Sequence, residues 1–200
     1  MKAELLSYIP SSTIESYKLD WKSQLPHLSY TFAIERISRA CSHQLVRHRV
    51  ASFSQQSQRY ITVKRLSEKI VIPPTVKDEN VVRKFTEKSS TIYEKLVEKS
   101  VPKEDARFFL PNATETSLLM TMDGKALAHF FGLRCCNRAQ WEIRSLANSL
   151  LEQVREVEPE IFDKIGPYCY QLGYCPEGRF SCGKMQETIE KYVMKNESTS

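Results

Sequence analysis

Residues 28–60, LSYTFAIERISRACSHQLVRHRVASFSQQSQRY, decide how this chain folds and what it can hold. Leu28 to Ile37 opens with alternating and aromatic character, which predicts a strand. From Ile34 to Val46 the apolar positions Ile37, Ala40, Cys41 and Leu45 fall on one helical face, so the strand is expected to pass into a helix. That helix presents Gln44, Arg47 and His48 at its C-terminal end, where the helix dipole favours cations. Ser54 to Gln58 is uncharged, polar and poor in helix formers, and reads as a loop.

Within residues 44–60 stand Arg47, His48, Arg49 and Arg59, the hydroxyls of Ser52, Ser54, Ser57 and Tyr60, and the amides of Gln44, Gln55, Gln56 and Gln58. No acidic residue neutralises them. Guanidinium forks suit phosphate, while amides and hydroxyls suit a heterocycle edge. A basic triplet alone is more often a solvated face. Here the docked helix before it and the polar loop after it favour a nucleotide site.

The rest of the chain sets bounds. Two hundred residues suffice for one domain with a real core, and a hydrophobic content of 41% is ordinary for a soluble protein. No apolar run approaches membrane-spanning length, and MKAELLSYIPSSTIESYKL lacks the continuous apolar core of a signal peptide. Six cysteines without a secretion signal are expected as reduced thiols in a cytoplasm. The formal charge of +5 suits an anionic ligand without identifying it. Lys195 to Ser200 reads as a frayed tail.

No repeat or low-complexity linker divides the chain, so residues 1–200 read as one domain. Tyr60 to Val63 and Lys69 to Ile72 are short strand candidates, the second stopped by Pro73-Pro74. Asp78 to Glu98 has helical spacing through Val82, Phe85, Ile92, Leu96 and Val97. Pro102 opens a further helix, with Glu104 and Asp105 in its first turn, that carries Arg107 and ends near Pro111. Gly124 to Arg134 and Arg138 to Glu156 read as two more helices. The second has an apolar stripe of Trp141, Ile143, Leu146, Leu150, Leu151 and Val154, expected in a core or subunit interface. The class is α+β, with helices predominating over a small sheet.

Two other clusters carry potential chemistry. In RCCNR, Arg134 closes one helix and Arg138 opens the next, so both can converge on a site at the turn. Buried structural use of Cys135 and Cys136 is commoner than nucleophilic use, and no Cys/His pairing is legible. In the C-terminal region Cys169, Cys175 and Cys182 have the spacing C-x5-C-x6-C. Zinc sites usually show a C-x2-4-C pair and a fourth donor. No such pair is present, although Cys135, Cys136 or a histidine could complete a set. Reduced loop thiols are the expectation, and no metal site is assigned.

Arg47-His48-Arg49, seven residues, then Ser57 resembles the signature of the flavin-dependent thymidylate synthases. The context agrees: SRACSHQLVRHR runs into SFSQQSQRY, and ALAHFFGLRCCNRAQWEIR follows about seventy residues later. The resemblance covers residues 28–156, and MKAELLSY is also similar to the family's opening. It implies a mostly antiparallel sheet flanked by helices. It also implies reductive methylation of dUMP to dTMP, with methylenetetrahydrofolate as carbon donor, FAD as redox cofactor and NADPH as its reductant. A homotetramer with active sites shared between subunits is implied as well.

By position, the resemblance assigns dUMP binding to Gln44, Arg47, Gln55, Gln56, Ser57, Gln58, Arg59, Arg107 and Arg134. It assigns FAD contacts to Arg47, His48, Arg49, Gln55, Asp123, Lys125 and His129. Arg134 is the expected catalytic residue, because a guanidinium at the uracil N3 edge favours an enolate-like base that is nucleophilic at C5. The chain departs from the family pattern in places. Ser54-Gln55 stands where Asn-Glu is common, and Asp123 and Lys125 where Asn and Arg are frequent. About twenty residues link MKAELLSY to LPHLSYTF, where a longer helical segment is usual, and Pro26-His27 replaces a typical Glu-His. Part of the flavin-binding wall is therefore expected to be missing or rebuilt. The alternatives are a degenerate homologue that binds nucleotide without turnover, and a nucleic-acid-binding module. The second is weak, because no such motif is present and the charge is modest.

Overall fold

In the computed structural model, residues 1–63 and 65–197 are described, except for the side chains of 194–197. The elements run β1 (Lys2–Tyr8), α1 (Trp21–Gln24), β2 (Ser29–Ser38), α2 (Arg39–Leu45), β3 (Ser52–Gln55), α3 (Glu79–Glu98) and α4 (Lys103–Ala106). They continue with β4 (Glu115–Asp123), α5 (Gly124–Arg134), α6 (Trp141–Val157), α7 (Pro159–Phe162), α8 (Tyr168–Leu172) and α9 (Met185–Glu197). The strands form an antiparallel sheet in the order β1-β2-β4-β3. The mixed class expected from the sequence is the one observed. No helix among the described residues is long and apolar enough to cross a membrane.

β2 explains the first departure from the expected boundaries. Tyr30, Phe32 and Ile34 are buried in strict alternation, but Glu35 and Arg36 are both exposed before Ile37 and Ser38 turn inward. Arg36 adopts the left-handed conformation (φ 59°), and this local break resets which side chains face the core. The helix expected from Ile34 therefore begins only at Arg39. Its start is fixed by Ser38, whose hydroxyl accepts from the Cys41 amide at 2.9 Å.

The contacts divide the chain into two compact units. Residues 34–46 and 53–119, with the first two residues, make up one of them. The first turn of α2 is tied to the segment before β4 by Arg39 N to Thr114 O (2.9 Å) and Ala40 N to Asn112 O (3.0 Å). Tyr60–Val63 is not a strand: the carbonyl of Ser57 accepts from the amides of Tyr60 and Ile61, closing a turn. Lys69–Ile72 contributes only an isolated antiparallel bridge, Ile70 with Thr114. α3 lies where expected, capped by Asp78, but it buries Thr86, Ser89 and Tyr93. Val81, Phe85 and Ile92 are 63%, 59% and 47% exposed. α4 is a single turn, so Arg107 falls in the 3-10 turn that follows it, Arg107–Phe109.

Residues 3–33, 47–52 and 120–200 make up the other unit. The expected stripe of α6 is its core: Ile143, Leu146, Leu150, Leu151 and Val154 are buried, while Trp141 is only half-buried. α6 opens at Trp141 because the Gln140 side chain accepts from the amides of Glu142 and Ile143, leaving Arg138 in the preceding turn. Phe162 packs edge-on against both Tyr30 and Phe131. Arg155, only 7% exposed, is satisfied by donating to the carbonyls of Phe162 (3.1 Å) and Ile165 (2.8 Å). The short N-terminal segment is anchored here: Ser11 donates through its amide and hydroxyl to Glu158, and Gln153 accepts from Leu5 N. α9 runs through Glu197, so the tail expected from Lys195 is helical to that point, and 198–200 lie outside the described residues.

The β4–α5 junction positions the site. Asp123 ends the strand and caps the helix, its Oδ1 accepting from Ala126 N at 2.7 Å. At Gly124 the backbone N donates to Leu28 O (3.0 Å), and a Cβ there would stand 2.7 Å from Leu25 O. Only glycine allows that approach without moving main chain.

Candidate active site

α5 lays Lys125, His129 and Leu133 at four-residue intervals along one face. That face, with Asp123, Ala126 and Arg134, lines a cleft of about 610 Å³ whose other wall is Arg47, His48, Arg49 and Val50. Six of the seven residues expected to contact FAD are thus brought together with Arg134, although they come from segments about seventy residues apart. Four are cations and only one is a carboxylate, so the cleft carries a net positive charge. Val50, Ala126 and Leu133 give it apolar surface. Cationic rim and apolar wall together fit a ligand that is part phosphate and part planar ring.

His48 is the most perturbed group in the cleft. Arg134 Nε donates to its Nε2 at 3.0 Å, and its ring meets Phe130 edge-on with centroids 5.0 Å apart. Burial first, then the charges of Arg134 and His129, lower its pKa to about 4. At neutral pH the ring is therefore an uncharged acceptor that orients the guanidinium without adding charge. On the neighbouring turn His129 Nδ1 hydrogen-bonds to Tyr168 Oη, a partner from α8 that nothing in the sequence announced.

The remaining predicted residues belong to the other unit. Gln55 lies on β3, not in a loop, and its Nε2 donates to Ser42 Oγ (2.9 Å) and Thr116 Oγ1 (3.2 Å). Gln56 N extends the pairing to Ser117 O at 2.9 Å. Ser57 Oγ accepts from Arg59 N (3.2 Å), which shapes the turn. Among the described residues, Gln58 Nε2 is buried without a hydrogen-bond partner. Gln44 is half-buried near the end of α2.

Glu104, read from the sequence only as a first-turn residue, joins two of the arginines assigned to dUMP, Arg59 and Arg107. Its carboxylate pairs with Arg59 Nε (3.1 Å) and its carbonyl accepts from Arg107 Nε (3.2 Å). Arg39 was also missed. Burial, and then the charge of Arg107, lower its pKa, placing a second guanidinium within electrostatic reach of Arg107. Among the described residues, no group of three or more His, Cys, Asp or Glu side chains is placed to hold a metal ion.

Fold and site together describe an α+β protein with a cationic cleft for a nucleotide-like ligand. The family model for thymidylate synthase complementing protein matches residues 13–160. The flavin-dependent thymidylate synthase of Geobacter sulfurreducens is 52% identical over 173 residues, covering 84% of this chain and 74% of the relative. That of Pyrococcus furiosus is 43% identical over 190 residues, covering 90% and 78%. The crystal structure of thymidylate synthase X from Helicobacter pylori with FAD and dUMP superposes with a TM-score of 0.64 at 24% identity, over 76% of this chain and 92% of that one, and shows the same fold. The chain belongs to the flavin-dependent thymidylate synthase family.

The depressed pKa of His48 has a measurable consequence. The unfolded ring takes up a proton near pH 6.5 and the folded one only near pH 4, so the unfolded state binds more protons between these values. The contribution of the neutral ring is complete above about pH 6.5 and is lost as pH falls towards 4. The shift corresponds to about 3 kcal/mol for a desolvated ring, and screening at this half-buried position reduces it to about 1–2 kcal/mol. Urea unfolding across that range is expected to show a flatter pH dependence for His48→Gln, which keeps an acceptor but does not titrate. An unchanged slope would contradict the assignment.

Proposed function

We propose that this chain converts dUMP to dTMP by reductive methylation, with methylenetetrahydrofolate as carbon donor and NADPH as the source of electrons. The observation that carries the reading is the cleft in which Arg47, His48 and Arg49 face Asp123, Lys125, His129 and Arg134. Arg47, Arg49 and Lys125 hold the phosphates of FAD by charge, and His48, His129 and Asp123 set the cleft's shape and polarity. Gln55 is the remaining FAD contact, from β3. When bound, FAD supplies the reducing equivalents for the new methyl group. We place the enzyme in the cytoplasm, acting as one domain over residues 1–200.

Arg47, Gln44, Gln55, Gln56, Ser57, Gln58, Arg59 and Arg107 bind dUMP, with the two last-named arginines on its phosphate. The buried, unpaired Nε2 of Gln58 supports this, because an unsatisfied donor costs about 1–3 kcal/mol until an acceptor meets it. The exposed Arg59–Glu104 pair is weak, about 0–1 kcal/mol, so a phosphate dianion can displace the carboxylate. Arg134 sits against the uracil N3 edge. Its Nε is held by neutral His48, so the guanidinium is oriented before substrate arrives, and its charge stabilises the electron-rich base that attacks the methylene at C5. Neither Cys135 nor Cys136 is needed as a nucleophile.

The working assembly is a homotetramer that shares its sites between subunits. Val81, Phe85 and Ile92 on α3, with Phe108 and Phe109, form apolar surface that a lone subunit leaves exposed, which fits burial between subunits.

Four measurements test this reading. FAD titration and a dUMP-dependent turnover assay should both be positive, and Arg134→Ala should lose at least about 100-fold in kcat with an unchanged circular dichroism spectrum. Full activity in that variant sinks the activation role. Arg59→Ala should weaken dUMP binding by about 10- to 100-fold, and Glu104→Gln by no more than about fivefold. Comparable losses would mean that Glu104, not phosphate, is the true partner of Arg59. Sedimentation should give a tetramer for the wild type and smaller species for the Phe85→Glu/Ile92→Glu double variant. A monomeric wild type would refute the assembly.

A further inference from the structure

One ring nitrogen of His129 is taken up outside the cationic cleft that the residue lines. Its Nδ1 hydrogen-bonds to Tyr168 Oη, while the exposed imidazole forms part of the cleft wall. Tyr168 is not among the residues that line the cleft. It lines a smaller cavity of about 290 Å³, which Cys136, Cys169, Cys175 and Cys182 also line. Whatever Tyr168 does for the cleft therefore passes through the imidazole.

The fold builds a seat for the phenol. α8 begins at Tyr168, directly after buried Gly166 and Pro167, and the Gln171 amide ties it to α5 by donating to Ala128 O at 3.2 Å. Gly132, inside α5 and three residues beyond His129, leaves the space that the ring fills. A Cβ there would stand 2.8 Å from Cε1 and Cζ of Tyr168. Glycine inside a helix is destabilising relative to alanine, and here it makes room for the ring.

The chemistry of the pair fixes its direction. A phenol carries one hydrogen, and an unprotonated imidazole nitrogen is a stronger acceptor than a phenolic oxygen. Burial raises the Tyr168 pKa, so the phenol keeps its proton. Tyr168 therefore donates, Nδ1 accepts, and the proton of the neutral ring lies on Nε2, the nitrogen left for the cleft. At His48 the arrangement is reversed, because its Nε2 accepts from Arg134. The two rings, with centroids 6.3 Å apart, thus carry their protons on opposite nitrogens.

We propose that Tyr168 is a positioning residue: it holds His129 in the Nε2–H tautomer, so that the ring donates from the cleft wall to an oxygen of bound FAD. The contact with FAD rests on the proposed function, and the tautomer does not.

The test begins without ligand. The chain has four histidines, and nitrogen NMR of the full chain with isotope-labelled histidine, at about pH 8 where an ordinary imidazole is neutral, separates the tautomers. The His129 signals, identified by their loss in His129→Ala, should show a bare Nδ1 and a protonated Nε2. In Tyr168→Phe, and in Gly132→Ala, which displaces the ring, they should move towards a mixture. A wild-type ring protonated at Nδ1, or a pattern unchanged in Tyr168→Phe, overturns the assignment. FAD titration then reads the consequence. Tyr168→Phe and His129→Ala should each weaken FAD binding by about 5- to 30-fold, and Tyr168→Phe should add no further loss in the His129→Ala background. Equal losses in both backgrounds would make Tyr168 a packing residue and refute the positioning role. A wild type that binds no FAD would refute the proposed function, and the NMR pattern then decides the tautomer by itself.

Discussion

The site depends on one junction, where β4 stops and α5 begins. Asp123 is both the last residue of the strand and the cap of the helix, and Gly124 lies against the carbonyl of Leu25 at a distance no side chain tolerates. These contacts fix where α5 starts and in what direction it leaves the sheet. Everything functional on that helix inherits the direction: Lys125, His129 and Leu133 along one face and Arg134 at the end. Asp123 keeps its negative charge while capping the helix, so it offsets only one of the four positive charges lining the cleft.

That charge is the main energetic liability of the cleft. Arg47, Arg49, Lys125 and Arg134 gather around one space, and their repulsion opposes folding until an anion enters. Keeping His48 neutral limits the cost, because a fifth cation beside Arg134 would add repulsion where solvent screens least. The same lone pair that stays unprotonated holds the guanidinium in place. In the other unit Arg39 and Arg107 show a milder version of this tension. Both groups of residues favour a ligand carrying several negative charges.

Legibility in the sequence followed the strength of local signals. α5 was readable to the residue because Gly124 opens it and Arg134 closes it, and the α6 stripe was readable because its apolar spacing coincides with burial. β4 was missed although Thr116, Leu118, Met120 and Met122 alternate inward, because threonine and methionine are weak markers of a buried strand face. β1 is mostly exposed and gave little pattern to find. On α3 the apolar residues do not mark the buried face: Thr86 and Ser89 face inward while Phe85 and Ile92 face out. The motif residues of the site were legible as chemistry. Their partners were not, because Arg134 with His48, His129 with Tyr168, and Arg59 with Glu104 are contacts between distant positions that leave no local trace.

The last turn of α5 borders two cavities at once. Leu133 and Arg134 line the cationic cleft, and the same two residues line the space that the four cysteines also line. These two residues are the lining that the two cavities share. The charge state of Arg134 will not change, since a guanidinium stays protonated throughout the physiological range. What can change is its orientation, which the neutral ring of His48 helps to set by accepting from Nε. An arginine that works by facing a substrate edge is sensitive to direction, because hydrogen-bond strength falls steeply with misalignment. The end of α5 is therefore held in a defined direction from the cleft side by His48, and that direction is what the arginine's role depends on.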